Sequence, residues 1–337
     1  MRIVTNPPNP YESRHRDLLE PAPPVRLDLY EDATREILSR NDSPDLPFRW
    51  SLNPYRGCVH GCAYCYARPT HEYWGFGAGT DFDSKIIVKR NAPMLLRHVF
   101  DKPSWKGELI VFSGNTDCYQ PVEASLGLTR SCLDVCAEYR NPVGVITKGI
   151  LVLRDLDLLI RLRHEAWVRV YFSIPFADDK TAREIEPYAP TSRKRFEAMA
   201  RLSDVGIPTG ISISPIIPGL NDQDIPVLLE RAKQAGATEA MATLVRLSGP
   251  VEDVFLERIG QAFPDRLAKI THRIREVRGG AMTDGAFFSR HHGKGSYWDV
   301  IERLFEVAKR KAGFATLVEE AVPHTFRRPG MDQTALF

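Results

Sequence analysis

The pattern of apolar and polar positions in this 337-residue chain changes character near Trp50. Before that point, residues 1–45 carry Pro and charge in runs such as "NPPNP", "EPAPPVR" and "RNDSPDLP", with no sustained period. Such a segment has little apolar surface to bury, so an extended arm is expected, wrapped on the body or in part disordered. Beyond it, short apolar runs alternate with longer amphipathic stretches. "GELIVFSG" (107–114), "PVGVITKG" (142–149), "WVRVYFSI" (167–174), "IPTGISISPI" (207–216) and "TEAMATLVRL" (238–247) are rich in β-branched residues and bounded by Gly, Pro or Asn. These features predict buried strands. A further strand is inferred at "RWSLNPY" (49–55).

Helical periods fill the intervals at 92–101, 126–140, 152–164, 192–205, 224–235 and 252–262. In "LGLTRSCLDVCAEYR" the apolar groups at 128, 132, 133, 135, 136 and 139 lie close to one helical stripe. "TSRKRFEAMARLSDVGIP" opens on a Thr or Ser cap and closes on Gly. Strand–helix alternation with one strand per thirty-odd residues argues for parallel βα units. About six units predict an α/β fold, a partial (β/α)6 TIM-type barrel short of the full eightfold closure. In such folds the chemistry sits in loops after the strand C-termini. The expected organisation is an arm over 1–45, the partial barrel over 46–248, and a C-terminal helical extension over 249–337. That extension carries helical periods at 265–277 and 298–312, a Gly-rich "FFSRHHGKGSYW" and the tail "RRPGMDQTALF".

Composition narrows the picture only a little. The longest apolar runs, such as "GISISPIIPGL", are too short and too broken by Pro to span a bilayer. The first residues lack the apolar core of a secretory signal, so a cytoplasmic protein with reduced thiols is expected. A net charge of +2 neither demands nor excludes a nucleic-acid partner.

The cysteines change the picture more. Three of the six, Cys58, Cys62 and Cys65, stand within eight residues at C-x3-C-x2-C, directly after the inferred strand at 49–55. One reading is a zinc site of the Cys3His kind, completed by His60 or His71, in a binding protein without chemistry. The other is a four-iron cubane, in which three thiolates leave one iron open to a further ligand. The tight loop at the chemical end of a barrel, with Gly57 and Gly61 free to wrap a bulky group, moves the reading to the cluster.

C-x3-C-x-aromatic-C after the first strand of an incomplete barrel resembles the signature of the radical SAM enzymes. Within that superfamily, "NPYRGCVHGCAYCYARPTHEY", "SGNTDCYQPVE", "VITK" and "ISPIIPGLND" are similar to the spore photoproduct lyase-like branch, over residues 46–245 or so. The resemblance implies a [4Fe–4S] cluster on Cys58, Cys62 and Cys65, with S-adenosylmethionine (SAM) on the open iron. Reductive cleavage of SAM would give a 5′-deoxyadenosyl radical that abstracts hydrogen from a substrate. It also implies a reducing partner of the flavodoxin or ferredoxin kind.

Carried over residue by residue, Tyr64 would lie against adenine, Lys148 would reach the SAM carboxylate, and Ser173 would hydrogen-bond SAM. The plainer readings are a core aromatic and two ordinary strand ends. In "SGNTD", Gly114, Asn115 and Asp117 occupy the place of the small-residue motif that meets the SAM amino group. "PIIPGLND" (215–222) matches a turn near adenine, and Glu186 and Arg195 match positions without an assigned role. Cys118 is a candidate hydrogen donor above the mouth, although the family's donor falls a few residues earlier, where Gly114 stands. Its plainer reading is a small packed residue, and Cys132 and Cys136 read as a buried helix seam. Tyr297, after His291 and His292, is a candidate donor on a lid, or part of a surface turn. The terminal "QTALF", Gln333–Phe337, resembles peptides that dock on the bacterial sliding clamp and would bring the enzyme to DNA.

Overall fold

The computed structural model describes residues 11, 26–315 and 321–329. In chain order the strands are β1 (Asp28–Glu31), β2 (Leu38–Arg40), β3 (Trp50–Leu52), β4 (Tyr55–Arg56) and β5 (Lys85–Val88). They continue with β6 (Ile110–Phe112), β7 (Val143–Thr147), β8 (Val168–Ser173), β9 (Thr209–Ile216) and β10 (Glu239–Leu244). The main sheet has the order β10-β9-β8-β7-β6-β3-β2. Every pair from β3 to β10 is parallel, and β2 caps β3 antiparallel.

Each apolar run expected to form a strand does so, and the reason is burial on both faces. Phe112, Val145, Phe172, Ile211 and Ile213 are fully enclosed, and each contributes about 1.5–3 kcal/mol over leaving it in water. Helices Ala92–Asp101, Leu128–Glu138, Leu156–Glu165, Ser192–Asp204 and Ile225–Gln234 separate the strands. The last of these is followed by β10. Among the described residues no pairing joins β10 to β2, so the barrel is partial.

Two features depart from the sequence expectation. The arm supplies strands: β1 pairs parallel with β5, and β2 joins the main sheet. All four β1 residues are exposed, so hydrogen bonding rather than burial places them and no apolar period marks them. The run at 49–55 also splits at Asn53 and Pro54. Its first half is β3, while its second half is β4, which pairs with β5 in a small sheet of order β1-β5-β4. The cysteine loop therefore leaves that small sheet, which sits beside the barrel.

Helices Val251–Ala262, Leu267–Val277 and Ser296–Lys311 follow the barrel, and the last packs on Ile225–Gln234. Residues 321–329 return to the first units, where Phe326 meets Phe100 and Tyr139, and Arg328 donates to the Phe100 and Lys102 carbonyls. Among the described residues no helix is long and apolar enough to cross a membrane.

Candidate active site

The cysteine loop begins on two residues that only Gly suits. Gly57 and Gly61 hold φ of 77° and 65°, and a Cβ on Gly57 would stand 2.7 Å from His71 Cε1. The loop is then fixed from several sides. The Cys58 N–H donates to the Phe82 carbonyl at 3.0 Å, and the Ala63 N–H to that of Ile185 at 3.0 Å. Gln120 accepts from the Val59 N–H and donates to the Gly57 carbonyl, both at 3.0 Å.

Arg68 is the main support. Fully buried, it donates to the carbonyls of Cys62 (2.8 and 3.1 Å), Ala78 and Gly79 (2.9 Å each) and to Asp83 at 2.9 Å. Its planar fork thus spends its donors on holding the loop backbone.

Cys58 and Cys62 are nearly enclosed and Cys65 is half-buried. Burial pushes the Cys62 thiol well above its usual pKa and the Cys65 thiol up to about 11, against the opposing pull of Lys148 and Arg68 respectively. Each lies close enough to the others for their charges to interact. Yet among the described residues no three His, Cys, Asp or Glu side chains converge tightly enough for a single metal ion. Three thiols that are neighbours without converging suit a larger body, and an iron–sulfur cluster fits that donor set.

Neither histidine completes a zinc site. His71 Nε2 contacts the Lys85 carbonyl at 2.8 Å with its ring against Phe82, and burial lowers its pKa to about 4. His60 Nδ1 faces Asp117 at 3.4 Å and its side chain also hydrogen-bonds Cys58, yet among the described residues it does not join the thiols in a group tight enough for one metal ion.

Across from the loop lies a buried charged network built by residues far apart in sequence. The Tyr64 hydroxyl donates to Glu186, which also accepts from Arg195 at 2.6 Å. Arg195 donates in turn to the Ser173 carbonyl at 2.8 Å and the Pro190 carbonyl at 2.7 Å. Lys148 Nζ stands 3.9 Å from Glu186 and 5.6 Å from the centre of the Tyr64 ring. Burial alone would lower the Lys148 pKa, but the adjoining Cys62 sulfur and Glu186 carboxylate outweigh it and raise it, so the ammonium persists. Burial likewise would raise Glu186, yet Arg195 and Lys148 hold it below the usual carboxylate range. The outcome is a fixed cation beside an aromatic face at the C-terminal end of β7.

The turn after β6 is equally ordered. Ser113 takes a left-handed φ of 76°, and its Oγ accepts from the Cys118 N–H at 3.0 Å. Asn53 Oδ1 accepts from the N–H groups of Gly114 (2.9 Å) and Asn115 (3.0 Å). Asp117 accepts from the Thr147 hydroxyl and the Lys148 N–H, both at 2.6 Å. Burial would raise the Asp117 pKa, but the adjacent His60 charge and these donors hold it well below the carboxylate range.

The family model described as "Radical SAM superfamily" matches residues 52–232, more than half of the chain. The chain belongs to the radical SAM superfamily. A protein of Mycobacterium tuberculosis described as uncharacterised is 34% identical over 226 residues, covering 66% of this chain and 66% of that relative. A radical SAM Nα-GlyT isomerase of Pseudomonas phage M6 is 26% identical over 233 residues, 68% of this chain and 46% of the relative. A solved spore photoproduct lyase variant with bound S-adenosylmethionine and dinucleoside spore photoproduct superposes with a TM-score of 0.54. At 15% identity it covers 85% of this chain and 78% of that one, which establishes the shared fold. Membership supports an enzyme of the radical SAM class, with SAM and an iron–sulfur cluster as its cofactors. The zinc reading finds no support.

The structure brings Cys58, Cys62, Cys65, Tyr64, Lys148, Ser173, Gly114, Asn115 and Asp117 to one end of this radical SAM barrel. Ser173 is buried, and its Oγ donates to the Ser214 carbonyl at 3.1 Å. Gly114 has ordinary room for a Cβ, whose nearest neighbour would be Ser51 at 3.5 Å, so its value lies in its N–H rather than in close approach.

Two expected residues are not at the mouth. The Cys118 side chain is fully enclosed in the core, which fits the plainer reading of a small packed residue, and its backbone carbonyl accepts from the Thr129 hydroxyl at 2.6 Å. The Tyr297 hydroxyl donates to Asp222 at 2.6 Å and its ring lies 4.2 Å from the Arg273 guanidinium, so it anchors the C-terminal helix instead of a lid. Gln333–Phe337 lies outside the described residues.

Sequence reasoning passed over Asn53, Arg68, Gln120 and Asn221. Asn221, fully buried, donates to the Pro175 carbonyl at 2.6 Å and the Pro215 carbonyl at 3.0 Å, joining the exits of β8 and β9. The available signal was a polar residue inside an apolar or Pro-rich run, as in "SLNPY" and "PGLND".

Proposed function

We propose that this enzyme holds a [4Fe–4S] cluster on Cys58, Cys62 and Cys65 and uses SAM to begin hydrogen abstraction from a nucleic acid or nucleic-acid component. The observation that carries the reading is the loop itself: three neighbouring thiols at the chemical end of the barrel, beside the Lys148 ammonium and the Tyr64 ring. With cluster and SAM bound, the chemistry available is transfer of one electron to the sulfonium, breaking the C5′–S bond to give methionine and a 5′-deoxyadenosyl radical.

The chain's own groups do the positioning. Lys148, kept cationic by Glu186, offers an ammonium to the SAM carboxylate. Tyr64, fixed through Glu186 and Arg195, offers a ring face to adenine. The turn holding Gly114, Asn115 and Asp117 is set by Asn53 and Thr147 to receive the amino end, and Ser173 Oγ retains acceptor capacity toward SAM. A nucleic-acid substrate is supported by the spore photoproduct lyase neighbour, whose structure contains a dinucleoside lesion. A flavodoxin- or ferredoxin-like donor would supply the electron, and Gln333–Phe337 would bring the enzyme to the sliding clamp.

The test is anaerobic reconstitution with iron and sulfide, followed by dithionite and SAM. The expected result is 5′-deoxyadenosine, absent when Cys62 is Ala. A fully loaded protein that makes none overturns the reading.

A further inference from the structure

The mouth of the barrel carries an arginine, Arg246, that makes no hydrogen bond or ion pair among the described residues. Arg246 lies just past β10, where the Val245 N–H still bonds the Ile216 carbonyl, so it stands at the same end as the cysteine loop. It is half-buried, its Nε is sealed from water without a hydrogen-bond partner, and among the described residues no carboxylate pairs with it. Burial and then the neighbouring Arg290 charge lower its pKa, while Tyr66 and Asp45 oppose them. Those neighbours place the guanidinium between the cysteine loop and the loop at 284–295.

Among the described residues the carboxylate that acts on Arg246 is Asp45, and it is already committed. Asp45 takes two hydrogen bonds from Arg290, at 2.6 and 2.8 Å, and a third from the Phe288 N–H at 3.1 Å. His291 Nε2 stands 3.7 Å from the same group. Arg246 therefore adds positive charge that the fold does not neutralise. A half-buried guanidinium without an acceptor is costly unless a ligand supplies one.

Exposed aromatic rings stand on the two loops that flank it, Tyr66 beside Arg246 itself and Phe287 beside the neighbouring Arg290. Tyr66, next to Cys65, is 55% exposed with its hydroxyl on the Gly114 carbonyl. Phe287 and Phe288 are 52% and 67% exposed. Phe288 is held at a φ of 64°, a conformation a bulky residue rarely adopts, and the Arg290 guanidinium lies 4.9 Å from the Phe287 ring. Exposed rings interleaved with guanidinium groups fit a phosphate-linked chain whose bases stack, and fit an acidic peptide poorly.

We propose that Arg246 receives a backbone phosphate of a single-stranded nucleic-acid substrate at the barrel mouth, with Phe287 and Phe288 as the stacking surface for its bases. This rests on the proposed nucleic-acid substrate and names the residues that would take it.

The test uses the cluster-loaded full chain under anaerobic conditions, with fluorescein-labelled oligothymidylate read by anisotropy across a salt series. Arg246→Gln should weaken binding about tenfold and reduce the magnitude of the log–log salt slope by roughly one. Arg246→Lys should restore the slope while recovering only part of the affinity. Phe287→Ala with Phe288→Ala should weaken binding about tenfold at unchanged slope.

Equal binding by wild type and Arg246→Gln overturns the proposal, as does tighter Arg246-dependent binding of a polyglutamate probe. A loss of SAM affinity in Arg246→Gln as large as the loss for the oligonucleotide assigns Arg246 to the cofactor and overturns it as well. Because binding is read without turnover, a failure here is separate from a failure to form 5′-deoxyadenosine.

Discussion

Two sets of cysteines share this chain and meet opposite fates. Cys58, Cys62 and Cys65 lie on an irregular loop whose shape is imposed by polar ties: left-handed Gly57 and Gly61, the Gln120 amide and the Arg68 fork. Cys118, Cys132 and Cys136 lie in the hydrophobic core, all fully enclosed, the last two one turn apart on the helix Leu128–Glu138. Burial raises thiol pKa values in both sets, at Cys62 as at Cys118, Cys132 and Cys136, but the second set is fully enclosed among apolar side chains and serves as small packing groups. Residue type does not separate the sets. What separates them is whether the backbone around the sulfur is held open by hydrogen bonds or closed by packing.

The sharpest way to break this contrast is to remove one sulfur from each set. Cys62→Ala should abolish the broad absorbance near ~400 nm of the reconstituted protein, whereas Cys132→Ala should retain it. Retention of a complete cluster by Cys62→Ala would sink the ligand assignment.

Next in size is the support beneath the loop. Arg68→Met should destabilise the protein by about 3–5 kcal/mol in urea unfolding, with poor cluster loading. Burial already raises the Asp83 pKa to about 6, so without Arg68 that group protonates, and most of the loss comes from the orphaned carbonyls of Cys62, Ala78 and Gly79.

A third effect concerns the small sheet that launches the loop. Lys89, at the end of β5, is buried near Arg56 and Asp32, and burial first, then the Arg56 charge, lowers its pKa from 10.5 to about 8. Between those values the unfolded chain binds the extra proton, so Lys89 makes stability rise with pH from about 8 to 10.5, by at most ~3 kcal/mol. Lys89→Met should flatten that slope in thermal melts run across the interval and should be more stable than wild type near neutrality. The smallest effect belongs to the seam. Cys132→Ala should cost about 1 kcal/mol, with the cluster spectrum as the control.

The main sheet was readable because burial on both faces leaves a mark in local sequence. "PVGVITKG" and "WVRVYFSI" hold their strands, and the helix expected at 92–101 is Ala92–Asp101. β1 and β2 left no such mark, since their residues are mostly exposed and hydrogen bonds to distant strands hold them. The same limit governed the site. The thiol spacing and the VITK lysine are local features. The Tyr64–Glu186 bond joins residues 122 apart, and Arg68 grips a loop that gives no sign of needing a cation below it. Cys118 was misplaced for the converse reason: a loop position suggests exposure, but the turn anchored by Ser113 and Thr129 folds its sulfur inward.

The clasp between Asp45 and Arg290 spans 245 positions, and it has a consequence for how the enzyme is made. During synthesis the thiol loop emerges soon after Asp45, but the rim cannot shut until Arg290 has left the ribosome. The rim beside the cysteine loop is therefore completed only once the loop at 284–295 is available to fold back on Asp45.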